Sequence, residues 1–326
     1  MNAPVKTITS MSTFKWLLKR EFWEHRGGFL WAPVITGGII AALYALLAMV
    51  GSVAGHDRGS NDIHWRDAAE NANEIIGKIG DGTMLAGVLL ACIVMAFVVF
   101  FYALGTLYDD RRDRSVLFWK SLPVSDLSTV LSKVAWALVL APILALGIGL
   151  LFGLLLWLVT ALTMSFNGVQ QSGAVFTHSH PLQIIGGVLS NLPIYAMWSL
   201  PTIGWLMFCS AWARSKPFLW AVLIPILSCV TASMMNILPM LHLNNNLIWY
   251  TVIYRGLLSV MPGTWLPVLR ESAPPTQIDS AQDLANTIQL SGAWRIFQQP
   301  DIWIGAVIGV AFIGAAIYLR RWRDEA

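Results

Sequence analysis

Residues 84–126 read MLAGVLLACIVMAFVVFFYALGTLYDDRRDRSVLFWKSLPVSD. The stretch 84–107 contains no Asp, Glu, Lys, Arg or His, and a helix needs about 20 apolar residues to cross a bilayer. Six consecutive charges follow, Asp109, Asp110, Arg111, Arg112, Asp113 and Arg114. A spanning helix that stops on a charged loop is the unit from which the rest of the chain is read.

Outward from this stretch the pattern repeats. Further apolar segments lie at about 30–50, 130–163, 184–213, 217–240 and 302–319. They predict an all-α polytopic membrane protein with six transmembrane helices in a single domain. Composition agrees: 56% of the 326 residues are hydrophobic and 12% are charged, against about 25% charged in soluble domains. Pro193 and Pro201 are expected to bend the fourth segment, and Pro142 the third.

The basic residues orient the chain. With the N-terminus inside, 15 of the 21 Lys and Arg fall in cytoplasmic segments and six in outer loops, as the positive-inside rule requires. Both termini are then cytoplasmic. Residues 14–28, FKWLLKREFWEHRGG, alternate apolar and basic side chains at helical spacing. Phe14, Trp16, Leu17, Leu18, Phe22 and Trp23 mark an interfacial helix on the membrane surface, with Gly27 and Gly28 as its corner; the alternative is a cytoplasmic extension of the first span. The outer loop 51–83 carries a short helix candidate over residues 66–78. The long outer loop 241–301 contains LIWYTVIYRGLLSVM (247–261), too short to span and interrupted by Arg255. It reads as a re-entrant or interfacial helix.

Several function classes lose support. A Walker motif, G-x-x-x-x-G-K-[ST], is absent; the only Gly-Lys pair, Gly77-Lys78, is followed by Ile79. No nucleotide or cofactor site is therefore expected in this chain. Within the bounds given, the spans hold no ionisable group of the kind that relays protons in pumps, apart from Lys133 at the foot of the third. Cys92, Cys209 and Cys229 lie in apolar stretches without metal or disulfide spacing. His56, His64, His178 and His180 lie in outer loops and lack the three or four ligands of a zinc site. No catalytic, cofactor or metal residues are assigned.

The charged loop continues as Ser115-Val116-Leu117-Phe118-Trp119-Lys120-Ser121, a short helical run with exposed aromatic and aliphatic side chains. Pro123 ends it. Ser125 can cap the third span, with Asp126 in the first turn favourable to the helix dipole. The product is a compact helix held along the membrane surface between two rigid spans, which calls for a protein groove or the bilayer.

At these residues the chain resembles the ABC-2 type permeases, the transmembrane subunits of ATP-binding-cassette transporters. Arg111, Arg112, Asp113 and Arg114 match the family's charged turn, Arg114 to Lys120 its short helix, and Leu122-Pro123-Val124-Ser125 its L-P-[VIL]-[ST] exit. The order of parts is also similar: an amphipathic N-terminal helix, six spans, this loop between spans two and three, and an outer segment before the last span. The outer loop 241–301 is longer than in a minimal member.

The resemblance implies a permease subunit of an ATP-driven transporter, working as an exporter in a bacterial inner membrane. It implies a second permease protomer, in a homo- or heterodimer, and cytoplasmic ATPase subunits that bind the ATP and magnesium. It makes Arg111, Arg112, Arg114, Ser115, Val116, Leu117, Phe118, Trp119 and Lys120 the coupling segment that meets the ATPase, and 14–25 the elbow-like helix. A scaffold or assembly factor that recruits a cytoplasmic partner without nucleotide is the alternative reading of the same loop. A membrane enzyme would need a polar cluster that the sequence does not offer.

Overall fold

The computed structural model describes residues 10–57, 72–113, 125–167, 169, 172–235, 244–271 and 294–323. Among these residues the regular structure is helical, with no strand. Helix α1 (Ser10–Arg26) continues through a π-helical turn, Gly27–Trp31, into α2 (Ala32–Asp57). Helix α3 spans Ala72–Arg112. Helix α4 (Asp126–Ala135) passes through a second π turn, Trp136–Leu140, into α5 (Ala141–Phe166). Two short helices, α6 (Ala174–Thr177) and α7 (Pro181–Ser190), precede α8 (Leu192–Trp212). A third π turn, Leu219–Leu223, leads into α9 (Ile224–Met235), and α10 (Asn245–Trp249) leads into a fourth, Tyr250–Arg255. After α11 (Leu266–Glu271) and a tight turn at Trp294–Gln298, α12 (Pro300–Arg323) closes the chain.

Among the described residues, five helices are long and apolar enough to cross a membrane: Thr13–Val50, Ala72–Arg112, Asp126–Phe166, Leu192–Trp212 and Pro300–Trp322. The chain is built as an integral membrane protein. The fifth expected span is represented by the shorter apolar helix Leu219–Met235; residues 236–243 lie outside the described residues.

Three boundaries differ from the sequence expectation. Gly27 and Gly28 do not form a corner. The helix runs through them, and the kink sits at His25, whose φ of −111° and ψ of 16° leave the helical region. The second span does not begin near residue 84. From Ala72, the later part of the expected 66–78 helix forms the first turns of α3. The fourth span is not one bent helix but two, separated at Asn191. Pro193 lacks an N–H for the carbonyl four residues earlier, so the hydrogen-bond ladder stops there.

Three of the four π turns share one cause. Each ends two residues before a proline: Pro33, Pro142 and Pro225. In each, the residue just before the proline donates its N–H back five positions, Ala32 to Gly27, Ala141 to Trp136 and Ile224 to Leu219. The widened turn gives the proline ring room beside the preceding carbonyls, so the helix bends without breaking.

Glycines set the closest helix contacts. A Cβ on Gly153 of α5 would lie 2.6 Å from the Met84 carbonyl oxygen of α3, and one on Gly309 of α12 would lie 2.5 Å from the Leu200 carbonyl carbon of α8. Backbones that approach this closely gain van der Waals contact that lipid cannot replace. The main core joins α3, the α4–α5 helix and α8 around Val99, Trp136, Ala141, Leu206 and Met207.

Candidate functional site

The loop that the sequence singles out is bounded by the end of α3 and the start of α4. Arg114, Ser115, Val116, Leu117, Phe118, Trp119 and Lys120 lie outside the described residues, so the structure speaks of the loop's two feet. Ser125 caps α4 as the sequence suggests: its hydroxyl accepts the Ser128 N–H at 3.2 Å, and Asp126 stands in the first turn.

At these feet the ends of four helices meet around buried charges. Lys133 Nζ of α4 lies 3.0 Å from Glu21 Oε1 of α1 and 3.4 Å from Asp110 Oδ2 of α3. The same ammonium donates to Thr106 Oγ1 at 2.8 Å. Tyr102 OH donates to the other oxygen of Glu21 at 2.9 Å. Arg320 of α12 then ties both feet together, with Nη1 donating to Asp110 Oδ2 at 3.2 Å and Nε to Asp126 Oδ1 at 3.1 Å. Glu21 and Lys133 are each 1% exposed. Arg20, 3.9 Å from Asp110 Oδ1, brings the cluster to three cations and three carboxylates. A buried charge is tolerated when it is paired and hydrogen-bonded; here each carboxylate pairs with at least one of the cations, and Arg20 also pairs with Glu24 at 3.2 Å.

Helix α1 is seated by more than charge. Leu17 is buried, Phe22 and Phe29 stack on Trp136 at centroid distances of 5.6 and 5.0 Å, and Trp136 Nε1 donates to the Leu18 carbonyl at 2.7 Å. Leu18 and Phe22 pack on the core, and Phe14 is half-buried. The outward face carries Trp16 and Trp23, with Lys19 5.1 Å and Arg26 5.6 Å from their ring centres.

Arg111 and Arg112 end α3. Arg112 is exposed. Arg111 turns to α8, where its Nη2 donates to the carbonyls of Ser210 and Ala213, the latter at 3.1 Å. These carbonyls at a helix C-terminus lack partners within their own helix, and a cation there also suits the dipole.

Sequence reasoning missed Glu21 and Asp110 as partners of Lys133, and Arg320 as the partner of Asp110 and Asp126. Apart from Lys133, the spans are free of charge within the bounds drawn for them, but the helices run past those bounds and bury the charges at their ends. A signal was present at Glu21, which stands four residues from Leu17 on the face that holds Phe14, Leu18 and Phe22. An acid on an apolar stripe asks for a buried cation.

The outer histidines are placed but not assembled. The backbone N–H of His180 donates to Asp81 Oδ1 at 2.7 Å, with its Nδ1 3.6 Å from Oδ2, and His178 Nδ1 bonds the Thr177 hydroxyl at 2.8 Å. Among the described residues no group of three or more His, Cys, Asp and Glu could hold a metal. Comparison with known proteins finds no matching family model, no similar curated protein and no similar solved structure.

Proposed function

We propose that the chain is the membrane-spanning permease subunit of an ATP-driven, ABC-2-type exporter, whose energy enters through the loop between α3 and α4. The observation that carries this reading is the Arg320 clamp. One guanidinium from the last helix holds Asp110 and Asp126, the two feet of the loop. A force applied to the loop therefore reaches α3, α4 and α12 together, and through Lys133 and Glu21 it reaches α1. Rigid helices joined by such pairs move as units between alternative packings.

Residues 114–120 form the coupling helix in this reading, flanked by Arg111 and Arg112. The exposed Trp16, Trp23, Lys19 and Arg26 of α1 sit at the membrane interface, where aromatic and basic side chains anchor helices. Leu219–Met235 supplies a sixth span. The termini and the loop face the cytoplasm of a bacterium, and two permease protomers, identical or not, dock on separate ATPase subunits that bind ATP and magnesium.

The test is purification of the full chain from its native membrane in mild detergent. A bound Walker-motif ATPase, whose ATP turnover is uncoupled from export by Phe118→Ala or Trp119→Ala, is the expected result. A partner without nucleotide-binding motifs would assign the loop to a scaffold instead.

A further inference from the structure

A cleft of about 810 Å³ lies between α8, α9, the helical stretch 245–255 and α12. This is within the range of small-molecule sites, roughly 300–1,000 Å³. Its wall is aromatic, with Trp205, Phe208, Trp220 and Phe312. Its rim includes Ile304 and Ile308, exposed apolar side chains of a membrane helix, so the cleft opens sideways into hydrocarbon. Along α12 it runs from Asp301 to Phe312, about 16 Å at ~1.5 Å per residue. That is close to the depth of one leaflet, about half of a ~30 Å hydrocarbon core.

The Asp301 end is polar and carries both signs of charge. Arg255 is 7% exposed, and its guanidinium stacks 3.6 Å from the centre of the Trp198 ring. Its Nη1 donates to the Trp198 carbonyl at 3.0 Å and to Ser259 Oγ at 3.3 Å, and its Nη2 donates to the Asp301 carbonyl at 3.0 Å. A guanidinium has five N–H donors, and these contacts use three. Asp301 directs its carboxylate elsewhere, to the Tyr250 hydroxyl at 2.7 Å. Burial first, and then that bond, hold the Tyr250 phenol above its usual range, so it stays a donor. Arg255 and Asp301 thus line one end of the cleft, and among the described residues neither forms an ion pair.

We propose that this cleft binds a zwitterionic phospholipid with a free ammonium group. The phosphate meets Arg255, the ammonium meets Asp301, and one acyl chain lies along the aromatic wall. Arg255 suits phosphate because the guanidinium fork and charge-assisted bonds favour it. Asp301 disfavours a head group with net negative charge, and an N–H donor satisfies its carboxylate where a trimethylated one cannot. The site stands on this geometry alone and does not depend on the transport reading.

Native mass spectrometry of the full chain, supplied with equal amounts of palmitoyl-oleoyl phosphatidylethanolamine, phosphatidylcholine and phosphatidylglycerol, tests it. The ethanolamine lipid is expected to be retained about tenfold over the others, the ratio given by ~1.4 kcal/mol from one charge-assisted contact. Asp301→Asn should abolish its advantage over phosphatidylglycerol. Ile308→Trp fills the cleft midway from a position that is already exposed, and should remove the adduct while the protein stays monodisperse. Equal retention of the three lipids, or an ethanolamine adduct indifferent to Ile308→Trp, overturns the proposal. So does a lipid-free dimer that Ile308→Trp dissociates, which would assign the cleft to a second copy of the chain.

Discussion

Arg320 and Asp126, 194 residues apart in the chain, are joined by a 3.1 Å bond from Nε to Oδ1. The same guanidinium holds Asp110, 210 residues away, at 3.2 Å. The last helix thereby closes the base of a loop made by the middle of the chain. The contact also fixes which ends of α3, α4 and α12 lie side by side, since a buried pair leaves little freedom for the helices to slide past one another.

Arg320→Met should therefore be costly. It leaves Asp110 buried at 5% exposure with one cation fewer, and breaking a buried pair on one side costs about 3–5 kcal/mol. Arg320→Lys should recover only part of the loss, because an ammonium on a flexible stem cannot span both carboxylates in the guanidinium's geometry. Thermal unfolding in detergent should rank the proteins as wild type, Lys, then Met. A Met variant as stable as the wild type would show that the clamp carries no stability.

Glu21 and Lys133 are expected to behave as one unit. Each is 1% exposed, and each is the other's partner at 3.0 Å. Glu21→Gln alone leaves Lys133 with Asp110, at 3.4 Å, as its remaining carboxylate. Lys133→Met alone strands the acid. The double variant removes both charges and should be more stable than the sum of the single losses, by an interaction energy of about 0.5–3 kcal/mol. A double-mutant cycle on melting curves measures it, and strict additivity would mean that the two groups are not coupled.

Much of this architecture was legible because hydropathy acts residue by residue. A long run without charge has few places to go other than a bilayer, so the long helices announced themselves. The Ser125 cap was also local, a hydroxyl and an N–H three residues apart. The ionic cluster was not local. Lys133 meets Glu21 and Asp110 only after three helices have packed, and no periodicity in one segment names a partner in another. The continuous helix through Gly27 and Gly28 was hidden for another reason. Glycine weakens a helix in isolation, but here Gly28 is pressed toward Val98, where a Cβ would lie 3.0 Å from Cγ1, and packing overrides propensity. The small-residue contacts had a readable signature, since Gly149 and Gly153, and Gly305 and Gly309, both follow the G-x-x-x-G spacing of close-packed membrane helices.

That spacing leads to a steric test. Gly309→Leu puts a side chain where even a Cβ meets the Leu200 backbone at 2.5 Å, and Gly204, one turn further along α8, also lies against the Gly309 backbone. Backbone cannot give way as a side chain can, so the cost should reach the upper part of the ~1–3 kcal/mol typical of overpacking, or exceed it. Gly314→Leu, on the same helix with open space around its Cβ position, is the control and should be near neutral. Equal melting temperatures for the two variants would place the α8–α12 contact elsewhere.

The coupling proposal makes a separate demand, on function rather than stability. Phe118 and Trp119 lie beyond the Arg320 clamp, in the part of the loop that would enter a partner's groove. Phe118→Ala and Trp119→Ala should leave the cluster at Asp110 and Asp126 intact, so expression and melting temperature should stay near those of the wild type. Aromatic anchors seated in a protein groove typically cost 2 kcal/mol or more when truncated, which corresponds to roughly a thirtyfold loss of affinity for the ATPase subunit. ATP hydrolysis by the partner should then continue while export falls. Arg320→Lys adds the decisive comparison: it keeps the docking surface but loosens the lever, so it should bind the ATPase normally and still export poorly. If Arg320→Lys lost binding while Trp119→Ala retained it, force would enter this protein somewhere other than 114–120.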